Sequence, residues 1–322
     1  MNSDNGVKKQ VITGRRSEQT KQQEVFDLAI IVVSYNTVFH LRRCLVSLKK
    51  NPLSLGNPVV VVVDNASTDG SPQMVRKKFP WVYLIENKSN LGFARGCNIG
   101  IRSVKARYYL LLNSDAATMG NALDVMVSFM DANPDIGASG GLILTEDGKT
   151  QPSTLVYPNY FNLLFSRASL LSKIPVFRWK MQELRKVPDE ITDVPALAGG
   201  FLILRNEALQ EIGLLDERFF IYLEDIDICR RLQKAGWRVV FNPNARILHS
   251  WGASSAKRRA QSFWWHHMSM FKYFQKHYPY LLPINLLLGF GLITHYSLWW
   301  LTNTITGWKS YRNNHSKDSP KS

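Results

Sequence analysis

Leu28 to Val33 is a short, unbroken and largely β-branched apolar run, the pattern of a strand buried on both faces. Val38 to Leu48 then carries apolar residues at helical spacing. Val59 to Val63 reads as a second buried strand, ending in the turn-rich stretch Asp64-Asn65-Ala66-Ser67-Thr68-Asp69-Gly70. Pro72 opens the next helix, and Val82 to Ile85 is a third short strand. Gly92 to Val104 predicts a helix and Tyr108 to Leu112 a fourth strand, which stops at Asn113-Ser114-Asp115. Ala122 to Met130 is helical; Ile136 to Leu144 is a strand leading into a hairpin turn at Asp147-Gly148. Strands alternating with helices over 27–145 imply βαβ units and a mainly parallel, Rossmann-like sheet.

Residues 151–195 are less regular, with several prolines and mixed charge, and read as a variable insert over the sheet. Order resumes at Gly199 to Leu204. A helix follows, then Phe219 to Asp225, a helix to Ala235 and a strand from Trp237 to Phe241. Further on, Trp264, Met268, Phe271, Phe274 and Tyr278 recur at helical spacing, flanked by Arg258, Arg259, Lys272 and Lys276, as in a basic interfacial helix. Leu281 to Leu301 has no formal charge. At ~1.5 Å per residue it measures ~31 Å, just enough for a bilayer core. Pro283, Asn285 and His295 interrupt the run, and Trp299-Trp300 suit an interface belt. These features favour a segment that lies on or dips into a membrane over a true span, with a packing or dimer helix as the competing reading. The chain thus divides into a polar, flexible lead (1–24), an α/β domain (25–255) and a basic, apolar appendage (256–322). Within the domain lie a first half (25–145), the insert (151–195) and a second half (196–255).

Composition changes the picture in one respect. The 322 residues are 45% hydrophobic and 20% charged, ordinary for a globular protein, but the net charge is +15. From Ile228 to Lys317 there is no Asp or Glu, against 13 Lys and Arg. An acid-free basic segment suits an anionic membrane surface or a nucleic acid; an ordinary solvated face mixes its signs. Long apolar runs inside it, and no recognisable nucleic-acid module, disfavour nucleic acid. Cys44, Cys97 and Cys229 are widely spaced and form no Cys-x-x-Cys or Cys/His pattern, which argues against a disulfide framework or structural zinc and fits a cytosolic compartment.

In an open parallel sheet, ligands bind beyond the carboxyl ends of the strands. Ser34-Tyr35-Asn36, Asp64 and Asn113-Ser114-Asp115 all fall there. Any one alone is equally a turn former or helix cap; three on one rim point to a site. The strand-one loop lacks the glycines of a dinucleotide site. Gly148-Lys149-Thr150 fails as a P-loop because position 143 is Ile. The rim offers instead an aromatic ring, Tyr35, to stack on a base, and a carboxylate, Asp64, to accept from an imide N–H.

The chain resembles glycosyltransferase family 2, in its bacterial rhamnosyltransferase-like branch. The likeness rests on Ile31 to Asn36, Val63 to Asp69, Asn90 to Gly100, Leu111 to Asp115, Phe219 to Asp227 and His249 to Ser254, six segments in order across 28–255. It implies a GT-A fold in which Tyr35 and Asp64 bind the nucleobase, with Arg95 and Asn98 near the nucleotide. Ser34, Asn36, Asn113 and Ser114 belong to the same nucleotide-binding set. Asp115 is the carboxylate of the family's metal motif, although Asn113 stands where a full Asp-x-Asp has its first acid. His249 is a second ligand for Mn²⁺ or Mg²⁺ by the same resemblance. In Glu224-Asp225-Ile226-Asp227, acids would favour a helix N-terminus in any case. The resemblance makes Asp225 the general base with Glu224 in support, and Asp227 is placed to pair with Arg231 one turn on.

The implied reaction is inverting transfer of a sugar from a nucleotide-diphosphate donor, dTDP-rhamnose favoured, to a polyprenyl-diphosphate-linked saccharide. The setting would be cell-surface polysaccharide synthesis on the cytoplasmic side of the plasma membrane. The alternatives are a same-fold transferase using a UDP-sugar and a soluble or protein acceptor, or a nucleotide-binding regulatory protein without catalysis. The retained Asp115, Asp225 and His249 oppose the last.

Overall fold

The computed structural model describes residues 25–54, 56–164, 187–250 and 259–315. The lead 1–24, most of the insert (165–186) and Trp251 to Ser254 of the last motif lie outside them, as does Arg258. The chain divides into two compact units, Met1–Lys257 and Arg258–Ser322.

The first unit opens with β1 (Val25–Ser34), α1 (Val38–Lys50), β2 (Pro58–Asp64), α2 (Ser71–Lys78), β3 (Tyr83–Glu86), α3 (Phe93–Ser103) and β4 (Lys105–Leu112). The parallel core β3-β2-β1-β4 follows the predicted alternation. Period-two alternation divides β1 between two cores: Leu28, Ile30 and Val32 face α1, α2 and α4 (Ala122–Ala132), while Ala29 and Ile31 face α3. Glycine sets the spacing on the second face. A Cβ at Gly96 or Gly100 would come within 3.0 Å of Val33 or Ile31.

Beyond β4 the sheet departs from a simple parallel order. β5 (Ala116–Thr118), β6 (Ile136–Leu144), β7 (Thr154–Leu155), α5 (Tyr160–Leu164), β8 (Thr192–Asp193), β9 (Ala196–Leu197) and β10 (Phe201–Arg205) come next, followed by α6 (Asn206–Ile212), α7 (Glu224–Lys234) and β11 (Arg238–His249). Strand β10 lies antiparallel between β4 and β6, so the sheet runs β3-β2-β1-β4-β10-β6-β11-β5. Sequence patterning expected a strand at Trp237–Phe241. It continues to His249, because β11 bulges at Asn242–Arg246 around Pro243 and then pairs again with β6 and β5. That extension carries His249 to the rim. The insert also departs from expectation: its leading residues Gln151 and Ser153 are buried, and the Ser153 hydroxyl accepts from the Ile143 N–H.

The second unit is a helical pair, α8 (Arg259–His277) and α9 (Leu282–His315), joined by a single 3₁₀ turn. Phe263 stacks among His267, His295, Tyr296 and Trp299, and the two histidines share a 2.8 Å hydrogen bond. The three residues that interrupt the apolar run are accommodated within α9. Pro283 sits in its first turn, where no N–H is needed; the Asn285 amide donates to the Tyr278 carbonyl; His295 bonds to His267. Pro279–Thr302 is long and apolar enough to cross a membrane by length and composition, with a mean hydropathy of 1.5.

Candidate active site

The loops after β1 and β2 are pinned together. Asn36, in the left-handed region at φ 54°, donates its N–H to Ser67 Oγ at 2.9 Å and accepts from the Thr68 N–H at 2.8 Å. The Val38 N–H donates to Asp69. Asp64 accepts from the Ser67 N–H through Oδ2, whereas its Oδ1 is buried with no partner. Burial pushes its carboxyl above the ordinary aspartate range, against the hydrogen bonds from Ser67. An unmet buried acceptor is costly, and a ligand N–H would satisfy this one. Tyr35, which follows Ser34, the register partner of Asp64 on β1, is half-buried. Ser34 and Ser114 are joined through Thr37 in a chain of hydroxyls, 3.0 and 3.1 Å, which braces the β1 loop to the β4 loop.

Asn98 is not presented to the rim. It is fully buried, its Nδ2 donates to the Leu215 carbonyl and Glu217, and its Oδ1 accepts from the Leu215 N–H. That occupation follows from its place on the inner face of α3, where the polar atoms of Asn98, expected near the nucleotide, are engaged within the protein. Arg95 is exposed and lies 3.6 Å from Glu217, which also binds Arg102.

Asn113, Asp115 and His249 do converge. His249 Nε2 lies 3.0 Å from Asp115 Oδ1 and 3.2 Å from Asn113 Nδ2. Gln151, which sequence reasoning missed, fixes the ring. Its Nε2 donates to the His249 carbonyl at 2.8 Å, so its Oε1 faces His249 Nδ1 at 3.0 Å and must accept from it. With the proton on Nδ1, the Nε2 lone pair faces the Asp115 carboxylate, and two acceptors at that distance need a cation or proton between them. One carboxylate oxygen and one imidazole nitrogen fit a divalent ion whose remaining ligands come from elsewhere. Among the described residues no cluster of three or more His, Cys, Asp or Glu could hold a metal alone.

The acids at the start of α7 follow two residues in left-handed backbone, Tyr222 (φ 70°) and Leu223 (φ 66°). Such tandem strain persists where the surroundings enforce it. Here the Phe220 carbonyl accepts from the Phe93 N–H, and Gly92 gives it room: a Cβ there would lie 2.3 Å from that oxygen. Asp225 accepts from the Gly199 and Ile226 N–H groups at 2.9 and 2.8 Å. Glu224 is buried with Oε2 unpartnered. Burial raises both carboxyls above their usual range, and the Asp225 charge adds to the rise at Glu224. Asp227 pairs with Arg231 at 2.9 Å, as the spacing predicts. The Gly199-Gly200 step joins the two halves of the site: Gly199 N–H holds Asp225, and the Gly200 carbonyl accepts from the Asn113 N–H at 3.1 Å.

A buried carboxylate with an unmet acceptor at the end of β2, an Asp–His pair beyond β4 and at the end of β11, and a second perturbed carboxylate at the start of α7 thus make up the candidate site. Residues 29–213 match glycosyl transferase family 2, and 150–313 match glycosyl transferase family group 2. The chain belongs to glycosyl transferase family 2. It is 30% identical, over 76% of its length and 82% of the relative's, to an N-acetylglucosaminyl-diphospho-decaprenol L-rhamnosyltransferase of Mycobacterium tuberculosis. It is 33% identical to the rhamnosyltransferase WbbL of Escherichia coli, over 27% of this chain and 35% of that one. Its fold resembles the mannosyltransferase PcManGT of Pyrobaculum calidifontis in complex with GDP-Man and Mn²⁺, with TM-score 0.52, 20% identity, and 90% and 83% of the two chains covered. It also resembles GalNAc-T7 with UDP, GalNAc and Mn²⁺, with TM-score 0.53, 19% identity, and 70% and 44% covered. The fold is therefore GT-A, and the chain is a rhamnosyltransferase-like glycosyltransferase of polysaccharide biosynthesis.

Proposed function

We propose that the enzyme transfers rhamnose, with inversion at C1, from dTDP-rhamnose to a polyprenyl-diphosphate-linked saccharide at the cytoplasmic face of the plasma membrane. The observation that carries the reading is the Gly199-Gly200 step, which fixes Asp225 through one residue and the Asn113–Asp115 loop through the next. A base and a diphosphate-binding pair so linked suit a displacement between them. Asp225 takes the proton from the acceptor hydroxyl as that oxygen bonds to sugar C1, and the C1–O bond to the donor breaks with its electrons leaving on the nucleoside diphosphate. A divalent ion, Mn²⁺ or Mg²⁺, held by Asp115 and His249 would neutralise that charge. Asp64 Oδ1 accepts the imide N–H that thymine and uracil share, and the Mycobacterium tuberculosis relative favours the rhamnosyl donor and the lipid-linked acceptor. Membrane retention falls to the apolar α9 and the basic residues Lys272 and Lys276 of α8. The test is a nucleotide-sugar panel against a lipid-linked acceptor. Asp225→Asn should lower turnover by roughly 10²–10⁴-fold while donor affinity holds. Near wild-type turnover in that variant, or donor use confined to UDP-sugars, would overturn the corresponding part of the reading.

A further inference from the structure

The second unit is not the only surface suited to a bilayer. Helices α1 and α2 pack side by side on one face of the sheet and contain no Asp or Glu. Between them they carry seven Lys and Arg. Arg43 and Arg76 are paired with Glu146 and Glu86. The other five, Arg42, Lys49, Lys50, Lys77 and Lys78, are exposed and make no ion pair among the described residues. On α1 they alternate with exposed apolar side chains: Phe39 is 82% exposed and Val46 is 49%. At ~100° per residue, positions 39, 42, 46, 49 and 50 fall within an arc of about 100°. Trp81, three residues past the end of α2, is 41% exposed and packed edge-on against Phe79. The acids on neighbouring elements are already engaged: Asp69 accepts from the Val38 and Ser71 N–H groups, and Asp124 binds Ser54.

We infer that this face is a second membrane contact, through which the catalytic unit lies on an anionic lipid surface. Basic side chains supply attraction that is lost with salt, and Phe39, Val46 and Trp81 enter the headgroup layer. A nucleic acid would use the charges but not the apolar residues between them. The first turn of α1, bearing Phe39, follows directly on the Ser34-Tyr35-Asn36 loop, so contact along α1 brings the nucleotide-binding rim to the lipid surface. This deepens the membrane-side reading above and rests on it for its purpose, though not for the binding itself.

The test is cosedimentation of the full chain with phosphatidylcholine vesicles containing or lacking phosphatidylglycerol, with wild type beside Lys49→Gln/Lys50→Gln/Lys77→Gln/Lys78→Gln. None of these side chains is in the catalytic machinery, so donor hydrolysis in detergent and melting temperature should not change. At about fivefold per basic residue, the variant should lose at least tenfold in affinity for anionic vesicles and keep its binding to neutral ones. Phe39→Ala/Trp81→Ala should weaken both, and a DNA-retention control should show no binding. Equal sedimentation of wild type and the charge variant on anionic vesicles would overturn the second contact while leaving the membrane reading in place. Failure of wild type to bind any vesicle would overturn both.

Discussion

Replacing Gln151 by Leu tests the Asp115–His249 pair without touching either residue. Two hydrogen bonds are lost, Nε2 to the His249 carbonyl at 2.8 Å and His249 Nδ1 to Oε1 at 3.0 Å, at a site where Gln151 is only 4% exposed. The imidazole then has no reason to keep its proton on Nδ1, and a ring with the proton on Nε2 cannot ligate through that atom. Loss of such an outer partner typically costs 10–100-fold in metal affinity or activity, about 1.4–2.7 kcal/mol. A purely structural role would also cost stability, since the carbonyl and N–H are left unpaired at ~1–3 kcal/mol. Gln151→Glu separates the two effects. A carboxylate still accepts from Nδ1 but cannot donate to the carbonyl, so it should restore the metal response while remaining destabilised. Calorimetric titration of Mn²⁺ in the presence of nucleoside diphosphate, alongside thermal melts, reads both. If Gln151→Leu binds Mn²⁺ as wild type does, or if Gln151→Glu fails to recover it, the tautomer argument is wrong.

Three further outcomes follow from buried groups. Asp64→Asn should weaken thymidine or uridine diphosphate by roughly 10–100-fold, the ~1.5–3 kcal/mol of a hydrogen bond to a charged group, as measured by competition binding; unchanged affinity would remove Asp64 from base recognition. Glu224 has its carboxyl raised by burial and by Asp225, so its contribution to stability is present below the ordinary glutamate range and is lost as pH rises through the folded-state value. Melting temperature should therefore fall from acid to neutral pH more steeply in wild type than in Glu224→Gln, and parallel curves would refute the buried-carboxyl assignment. Gly92→Ala combines φ +85° with a Cβ placed 2.3 Å from the Phe220 carbonyl. It should cost ~1–3 kcal/mol or more and lower the unfolding midpoint in urea; a midpoint within error of wild type would show that the Phe220 loop shifts freely.

The parallel half of the sheet was legible because each of its strands is a continuous apolar run and each connection is a short amphipathic helix. Leu28–Val33 and Val59–Val63 differ from the observed strands only at their ends. The antiparallel half was not. Patterning gives ordered structure at Gly199–Leu204 but not the neighbours of β10, because an antiparallel strand buried on both sides has the same composition as a parallel one. The reach of β11 to His249 was hidden by Asn242-Pro243-Asn244, which reads as a turn and is in fact a bulge inside a strand. Gln151 gave no signal at all. It sits among prolines and polar residues at the head of an irregular segment, and only the approach of β11 to that segment makes its amide useful.

That antiparallel insertion also explains how one backbone step can serve both ends of the site. Were β6 next to β4, the loop after β4 would face another parallel connection, and nothing would tie it to α7. With β10 running the other way, its entrance, Gly199-Gly200, arrives at the carboxyl end of β4. Asn113 is held by the Gly200 carbonyl there, and Asp225 by the Gly199 N–H. Both positions are crowded: a Cβ at Gly200 would lie 2.9 Å from Asn113 Nδ2, and one at Gly199 would lie 3.2 Å from the Asp225 Cβ. The separation of Asp225 from the Asn113 loop is therefore set by main chain and close packing, an arrangement that would suit the displacement proposed above.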